Sequence, residues 1–242
     1  MDSPLLELSG IRFTYPGPGR TVLDGVDFSL GPNTRAGIIG PNGSGKTTML
    51  LTAVGLIRPD SGQVRHKGRI AEDEKSFREV RRGVGYLFQN ADDQLFSPTV
   101  LEDVAFGPLN LGFSAQRARE KSEQVLQSLG LDGYGPRITH KLSGGEKRLV
   151  SLATVLAMEP EVLLLDEPTT GLDPETRERL IEILNGLDKA LVVVSHDWDF
   201  LDQTTTEVWA MQAGRLEKAE REVLHEHVHA HPHGHLPHRH DG

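Results

Sequence analysis

The 242-residue chain contains no cysteine, which excludes a disulfide framework and a thiolate metal site. It has no run near the roughly 18 apolar residues that a membrane-spanning helix requires, and its first residues lack the basic and apolar stretches of a secretory signal. Basic residues are outnumbered, 26 against 35 acidic ones, and the net charge of −9 argues against nucleic-acid binding, which favours a basic face. We therefore expect a cytosolic protein that reaches a membrane only by docking onto subunits that span it.

What the chain does contain is a glycine-rich stretch, residues 40–48, that matches the phosphate-binding pattern G-x-x-x-x-G-K followed by Ser or Thr. Residues 36–39 before it predict a strand and residues 49–57 after it predict a helix, the context that the motif needs. Glycines let backbone N–H groups approach a polyphosphate, Lys46 offers a charge to the terminal phosphates, and Thr47 offers a hydroxyl to phosphate-bound Mg²⁺. The alternative is a glycine-rich turn that matches by chance. The predicted nucleotide-binding residues are Gly40, Pro41, Asn42, Gly43, Ser44, Gly45, Lys46, Thr47 and Thr48.

Two other wholly apolar segments also end on polar residues. Residues 162–165 lead to Asp166 and Glu167, and residues 191–194 lead to Ser195 and His196. If these are parallel strands of one sheet with the strand before the phosphate loop, their carboxyl ends share the edge where such sheets bind ligands. Taken singly, each would be equally consistent with a solvated strand end or a loop histidine.

The residue types at this predicted edge favour ATP hydrolysis. Asp166 could hold Mg²⁺ through its water shell, and Glu167 could polarise the attacking water. His196 could hydrogen-bond the terminal phosphate or order that water. Gln89, at the end of another predicted strand, could reach Mg²⁺ or the water. Catalysis would then depend on positioning and charge neutralisation.

The remaining pattern predicts an α/β core interrupted by a helical insertion. Between about residue 90 and residue 158 the pattern becomes helical, with Thr99 as a candidate N-cap. The predicted domains are an α/β domain over 1–223, which contains this helical subdomain, and a low-complexity tail over 224–242. Strands are predicted over residues 5–13, 22–30, 63–65, 84–89, 207–212 and 215–217, and helices over 76–82, 114–129, 143–158 and 174–187.

Together these residues resemble the nucleotide-binding subunit of ATP-binding cassette transporters, over about residues 5–216. The resemblance implies a P-loop NTPase core of RecA-like fold with an antiparallel β subdomain and an inserted α-helical subdomain. Residues 162–168 look like the family's second nucleotide-binding motif, and Leu142-Ser143-Gly144-Gly145-Glu146 looks like its signature motif. Glu146 departs from the more common glutamine. Further resemblances are Gly171-Leu172-Asp173 to the D-loop, Gln89 to the Q-loop, His196 to the switch histidine and Tyr15 to the ring that stacks on adenine.

The family resemblance implies a head-to-tail dimer, with each ATP between the phosphate loop of one subunit and the signature motif of the other. Ser143, Gly144 and Gly145 would then form an anion-binding helix start that serves the second copy. We expect Glu146 to be tolerated there, since the chemistry depends on Ser143 and the backbone N–H groups. An ordinary helix N-cap followed by glycines is the alternative. One chain carries the full set of motifs, so two identical copies would suffice.

A narrower resemblance, over residues 86–108, is to the ATPase of energy-coupling factor importers, which include cobalt and nickel systems. It implies a transmembrane coupling subunit whose coupling helix docks in this region, a substrate-binding membrane subunit, and a location on the cytoplasmic face of the membrane. Leu95, Phe96 and Phe106 would offer an apolar docking surface beside Gln89. The alternative, equally acceptable for Phe106, is that these side chains belong to the core of the helical insertion.

The tail is rich in histidine, and neutral imidazole suits nickel, cobalt, copper and zinc. A flexible segment could gather several imidazoles on one ion, although each site would be weak. With the importer resemblance, the tail favours nickel or cobalt as cargo. A vitamin importer, an ATPase acting on ribosomes or DNA, a metal-buffering protein and a merely solubilising tail remain alternatives. The candidate metal ligands are His225, His227, His229, His231, His233, His235, His238 and His240.

Overall fold

A computed structural model of the chain describes residues 3–17 and 20–219. The histidine-rich tail therefore lies outside the described residues. Strands are β1 (Leu6–Thr14), β2 (Thr21–Leu30), β3 (Arg35–Ile39), β4 (Ser61–His66), β5 (Arg69–Ala71), β6 (Val84–Leu87), β7 (Val162–Asp166), β8 (Ala190–Val194), β9 (Glu207–Gln212) and β10 (Arg215–Ala219). Helices are α1 (Lys46–Ala53), α2 (Glu74–Gly83), α3 (Val100–Asn110), α4 (Ala115–Ser128), α5 (Gly144–Leu156), α6 (Pro174–Asn185) and α7 (Trp198–Thr204).

A six-stranded sheet forms the centre of the fold, in the order β10-β9-β3-β8-β7-β6. Strands β9, β3, β8, β7 and β6 run parallel, and β10 closes the sheet as an antiparallel hairpin with β9. Every residue of β7 and of β8 is buried, as expected for parallel strands covered on both faces. The predicted parallel sheet is confirmed, and the carboxyl ends of β3, β8 and β7 lie next to one another along one edge.

Alternate side chains of the central strands contribute to two separate hydrophobic cores. On β7, Leu163 and Leu165 pack into the core that includes α5 and α6, whereas Val162 and Leu164 pack into the core that includes α1 and α2. The second core is covered by a four-stranded antiparallel sheet, in the order β2-β1-β4-β5. Two cores therefore hold the central sheet rigid from both sides, and its ligand-binding edge is left accessible.

Helices α3, α4 and α5 pack against one another beside the central sheet. Each begins at a hydroxyl residue whose side chain accepts a backbone N–H of the first turn: Thr99, Ser114 and Ser143. Thr99 and Ser143 form full capping boxes with a glutamate three residues later. The predicted N-cap at Thr99 is confirmed, and these local signals fix where the helices start.

One predicted strand needs correction, and two short elements were not predicted. Strand β6 ends at Leu87, so Gln89 lies two residues beyond the strand rather than at its last position. Helix α7 was not predicted because its seven residues are too few to show a periodic pattern, although Asp197 caps it. The three-residue strand β5 was missed for the same reason. Among the described residues, no helix is both long and apolar enough to span a bilayer.

Candidate nucleotide-binding site

The loop between β3 and α1 depends on glycine at defined positions. Gly40, Gly43 and Gly45 have φ angles of 148°, 74° and 112°, in the region that favours glycine. A Cβ at Gly40 would lie 2.1 Å from the Met211 carbonyl oxygen, and one at Gly45 would lie 2.7 Å from that of Val22. Since Gly45 has no side chain to cap α1, the first-turn N–H groups can donate to an anion.

Lys46 is almost completely buried at the start of α1. Its Nζ donates to the carbonyl oxygens of Gly40, at 2.8 Å, and Pro41, at 3.1 Å. Burial lowers the pKa of Lys46, and the neighbouring carboxyl groups of Glu167 and Asp166 oppose that shift. The ammonium is therefore held inside the loop in a desolvated setting, where its attraction to a phosphate is stronger than in water.

Asp166, the last residue of β7, is completely buried. Its Oδ2 accepts a hydrogen bond from the Tyr86 hydroxyl at 3.1 Å, whereas Oδ1 has no hydrogen-bond partner among the described residues. Burial raises the pKa of Asp166, and the neighbouring Thr47 and Tyr86 hydroxyls and the Lys46 charge oppose it. A buried carboxylate oxygen without a partner, with the Thr47 hydroxyl beside the same carboxyl group, fits Mg²⁺, which binds oxygen ligands.

Glu167 adopts a left-handed backbone conformation with φ of 47°, which is uncommon for a residue with a side chain. Its N–H donates to the carbonyl oxygen of Val194, so β8 holds the turn in place. Its carboxylate oxygen Oε1 lies 3.2 Å from Nε2 of His196, and Oε2 accepts the His196 backbone N–H at 3.3 Å. The His196 ring also lies 3.1 Å from Oδ1 of Asn42. Asn42, His196 and Glu167 thus form one chain of contacts from the phosphate loop to β7.

A cavity of about 410 Å³ joins these groups. Tyr15 forms one wall, its hydroxyl 3.3 Å from that of Thr48 and its ring edge-on to Phe13. Gln89 forms part of another wall. The structure therefore brings the predicted loop, Gln89, Asp166 and Glu167 to one cavity, and His196 contacts its wall.

The remaining predicted site residues lie elsewhere in the chain. Ser143 and Glu146 cap α5 reciprocally, and Asp173 caps α6 by accepting the Thr176 N–H at 2.9 Å. The Glu146 carboxylate also accepts from the Tyr134 hydroxyl at 2.7 Å and from Arg137 at 3.0 Å. Hydrogen bonds from the Ser143 backbone and the Tyr134 hydroxyl lower the pKa of Glu146. None of the four predicted residues 143–146, nor Asp173, lines the cavity of its own chain.

Sequence reasoning missed two residues next to this cavity. Tyr86 donates to Asp166 from the neighbouring strand, and Arg148 of α5 donates to the carbonyl oxygens of Phe88 and Gln89. Tyr86 could have been found, since it lies on the predicted strand beside the one that ends at Asp166. Arg148 gave no such signal, because its contact joins segments about sixty residues apart.

The setting of Glu167 predicts how turnover depends on pH. Burial raises the pKa of Glu167 above its ordinary value of 4.5, and the neighbouring His196 opposes the shift. If Glu167 is the general base, its active form is the carboxylate, which is lost as the pH falls through this raised pKa. We expect the acid limb of a kcat/KM–pH profile, which reports the free enzyme, to lie above pH 4.5. An acid limb at or below that value would contradict this role.

Comparison with known proteins identifies the family. Residues 23–170 match the family model described as ABC transporter. The chain belongs to the ABC transporter family. As a member it is an ATPase, and its fold class is confirmed: a P-loop NTPase core of α/β type with an antiparallel β subdomain and an inserted helical subdomain.

Several relatives of this ABC ATPase cover nearly its whole length. A putative ABC transporter ATP-binding protein of Nitratidesulfovibrio vulgaris is 54% identical, over 98% of this chain and 87% of the relative. The energy-coupling factor transporter ATP-binding protein EcfA of Methanocaldococcus jannaschii is 41% identical, over 88% of this chain and 78% of the relative.

Solved ABC cassettes share its structure. The cbiO1 protein of Clostridium perfringens, part of the transporter complex cbiONQ, superimposes with a TM-score of 0.81 at 31% identity, over 93% of this chain and 92% of that one. A dimeric cassette in a post-hydrolysis state, bound to ADP and Pi, gives a TM-score of 0.80 at 28% identity, over 88% of this chain and 98% of that one.

Proposed function

We propose that this ABC ATPase is the ATP-hydrolysing subunit of an energy-coupling factor importer for nickel or cobalt ions. The observation that carries the hydrolytic part is the convergence of Lys46, Asp166, Glu167 and His196 on one cavity edge. The importer class is supported by the EcfA relatives, which are 41% and 42% identical over 88% of the chain. The cargo is inferred from the histidine-rich tail.

ATP binding would use the phosphate loop as a cradle. The N–H groups at the start of α1 and the Lys46 ammonium would bind the phosphates, and Tyr15 would stack on the adenine. Thr47 and Asp166 would hold Mg²⁺, with Gln89 as a further oxygen ligand. Bound Mg²⁺ neutralises negative charge that develops on the phosphate oxygens.

Hydrolysis would proceed by in-line attack of a water molecule on the terminal phosphorus. Glu167 would accept the proton of that water, the bond to the bridging oxygen would break, and ADP and phosphate would form. His196, which lies between Asn42 and Glu167, would keep the carboxylate oriented and hydrogen-bond the terminal phosphate. Because burial raises the pKa of Glu167, this carboxylate is a stronger base than an exposed one.

A second copy of the chain would complete the site. Ser143, Gly144 and Gly145 form the start of a 13-residue helix with no contact to the cavity of their own chain. Placed against the ATP of another copy, this helix start would donate N–H groups to the terminal phosphate, and Asp173 would lie near the same interface. Similarity to a dimeric cassette supports this assembly.

The membrane subunits would dock beside Gln89. Phe96 and Phe106 are 67% and 48% exposed and pack edge to face, with ring centroids 4.8 Å apart. They border a cavity of about 660 Å³ that Tyr86, Phe88 and Met158 also line. The alternative that Phe106 is a core residue is wrong, and Leu95 is buried, so Leu95 does not contribute to this surface. Exposed aromatic pairs of this kind suit the helix of a transmembrane coupling subunit.

Replacing both Phe96 and Phe106 with serine should weaken co-purification with membrane subunits from detergent-solubilised native membranes by about 10-fold or more. The ATPase rate of the isolated chain should stay within about twofold, because neither ring lines the nucleotide cavity. Leu56→Ser is the matched control, since Leu56 is 54% exposed elsewhere on the surface. Unchanged co-purification of the double variant would contradict this docking surface.

The role of the tail in metal binding can be tested directly. The described residues contain no group of three or more His, Cys, Asp or Glu side chains placed to hold a metal ion. We expect deletion of residues 224–242 to abolish Ni²⁺ and Co²⁺ binding in isothermal titration while ATP hydrolysis persists. Unchanged metal binding would remove the support for a nickel or cobalt cargo. Uptake of a vitamin instead of either metal by the reconstituted transporter would contradict that cargo outright.

A further inference from the structure

Arg148 is buried to 4% exposure, and its partners are backbone carbonyl groups. One guanidinium nitrogen donates to the Phe88 carbonyl oxygen at 2.6 Å, and the other donates to that of Gln89. Burial lowers the pKa of Arg148, and the charge of Asp166 opposes the shift. No carboxylate forms an ion pair with Arg148 within the described residues. Burying a cation in this way is costly for stability alone, which suggests another reason for its presence.

The segment that carries Gln89, residues 88–94, contacts helix α5 at several turns of the helix. Lys147 pairs with Asp92 at 2.6 Å, at the same turn of α5 as Arg148. One and two turns further on, the Gln94 side-chain amide donates to the Ser151 carbonyl oxygen at 2.8 Å and to the Thr154 hydroxyl at 2.7 Å. Strand β6 has already ended at Leu87. The backbone at Gln89 is therefore positioned mainly by α5 rather than by the sheet.

The N-cap of the same helix is Ser143, the proposed contact with the ATP of a second copy, five residues before Arg148. A cavity of about 440 Å³ lies between residues 89–92, the start of α5 and residues 170–171. The hydrogen bonds and the ion pair tie the segment to α5, and the cavity separates part of it from the start of α5 and from residues 170–171. Within α5, Arg148 is the residue that bonds to the Gln89 backbone itself.

We propose that Arg148 is a positioning residue that fixes the Gln89 backbone to α5, so that the Gln89 side chain is aimed into the nucleotide cavity only when α5 is correctly placed. The proposal rests on the proposed function, since it requires Gln89 to act in hydrolysis. A planar guanidinium can bond two consecutive carbonyl groups at once, which the point charge of a lysine cannot reproduce. Arg148 contacts no substrate and acts through Gln89.

A double-mutant cycle on steady-state ATP hydrolysis by the full chain tests this proposal. We expect Arg148→Met to lower kcat by about 10- to 100-fold, with little change in the KM for ATP, since a misplaced catalytic group costs rate rather than binding. In a Gln89→Ala background the same change should have no further effect on kcat. Arg148→Lys should restore part of the rate. Arg119→Met, an exposed arginine of α4, is the matched control and should leave kcat unchanged.

Equal losses of kcat in the two backgrounds would overturn the proposal, because Arg148 would then act independently of Gln89. A normal kcat for Arg148→Met would also overturn it. If Arg148→Met does not fold, as shown by its melting temperature, Arg148→Lys completes the cycle: a partial loss of kcat that disappears in the Gln89→Ala background supports the proposal, and an equal loss in both backgrounds overturns it. A Gln89→Ala variant with normal kcat would contradict the proposal while leaving ATPase function intact, whereas a wild-type chain without ATPase activity would contradict the proposed function.

Discussion

Replacing Glu167 with glutamine is expected to lower kcat for ATP hydrolysis by about 100- to 10,000-fold, the range that a general base contributes. Glutamine keeps the shape of the side chain but cannot accept the proton of the attacking water. ATP binding should be retained within a few fold, because the phosphate loop and Lys46 are untouched. Single-turnover hydrolysis and equilibrium binding of a fluorescent ATP analogue measure the two effects separately.

The matched control for this change is Glu182→Gln, an exposed glutamate on α6 outside the cavity. It loses the same charge and should hydrolyse ATP at the wild-type rate. Wild-type turnover in Glu167→Gln would overturn the assignment of the base. Loss of ATP binding in that variant would show instead that Glu167 supports the fold of the loop, through the contact between His196 and Asn42.

Lys46→Ala should abolish nucleotide binding under ordinary assay conditions. The ammonium would make charge-assisted hydrogen bonds to the phosphates, each worth about 1.5–3 kcal/mol, so that losing two of them weakens binding by about 100-fold or more. Titration of ATP into the variant, followed by calorimetry, measures this loss directly. Lys75→Ala removes an exposed lysine of α2 and should bind ATP normally. Binding of ATP by Lys46→Ala at wild-type affinity would show that the phosphates lie elsewhere.

The central sheet was predictable because the candidate catalytic residues come directly after apolar segments in the sequence. The uninterrupted apolar stretches before Asp166 and before Ser195 are typical of strands covered on both faces, and parallel pairing then puts their ends on one edge. The phosphate loop was equally predictable from the sequence, since its glycines occupy backbone conformations that other residues avoid. The local sequence pattern therefore predicted both the ligand-binding edge of the central sheet and the polar side chains along that edge.

What the sequence did not reveal depends on contacts between distant segments. Arg148 reaches the Gln89 carbonyl, and Tyr86 reaches Asp166, through packing of elements whose relative placement no local pattern encodes. The exposure of Phe106 and the burial of Leu95 likewise depend on contacts between distant segments. Both are large apolar side chains in the predicted helical insertion, and only the packing of α3 against its neighbours decides which of them faces solvent.

The same packing supports the expectation that Glu146 is tolerated at the proposed signature position. Its carboxylate is neutralised by Arg137 and held by the Ser143 backbone and the Tyr134 hydroxyl. The Glu146 side chain is thereby held by contacts within its own chain. The backbone N–H groups at the start of α5 remain able to donate. The N–H groups of this helix start would then bind the phosphate of an ATP held by a second copy rather than by their own chain.

That arrangement is tested most directly by the molecular mass of ATP-loaded Glu167→Gln in light scattering at high protein concentration. We expect twice the monomer mass with ATP and the monomer mass without it. Adding Gly144→Glu should keep the monomer mass with ATP bound, because a Cβ at Gly144 meets no atom within 4 Å and only a negative charge is placed at the helix start. Gly186→Glu, about 18 Å along α6 from its start, should not prevent dimer formation. An ATP-bound Glu167→Gln chain that remains monomeric would contradict the shared site.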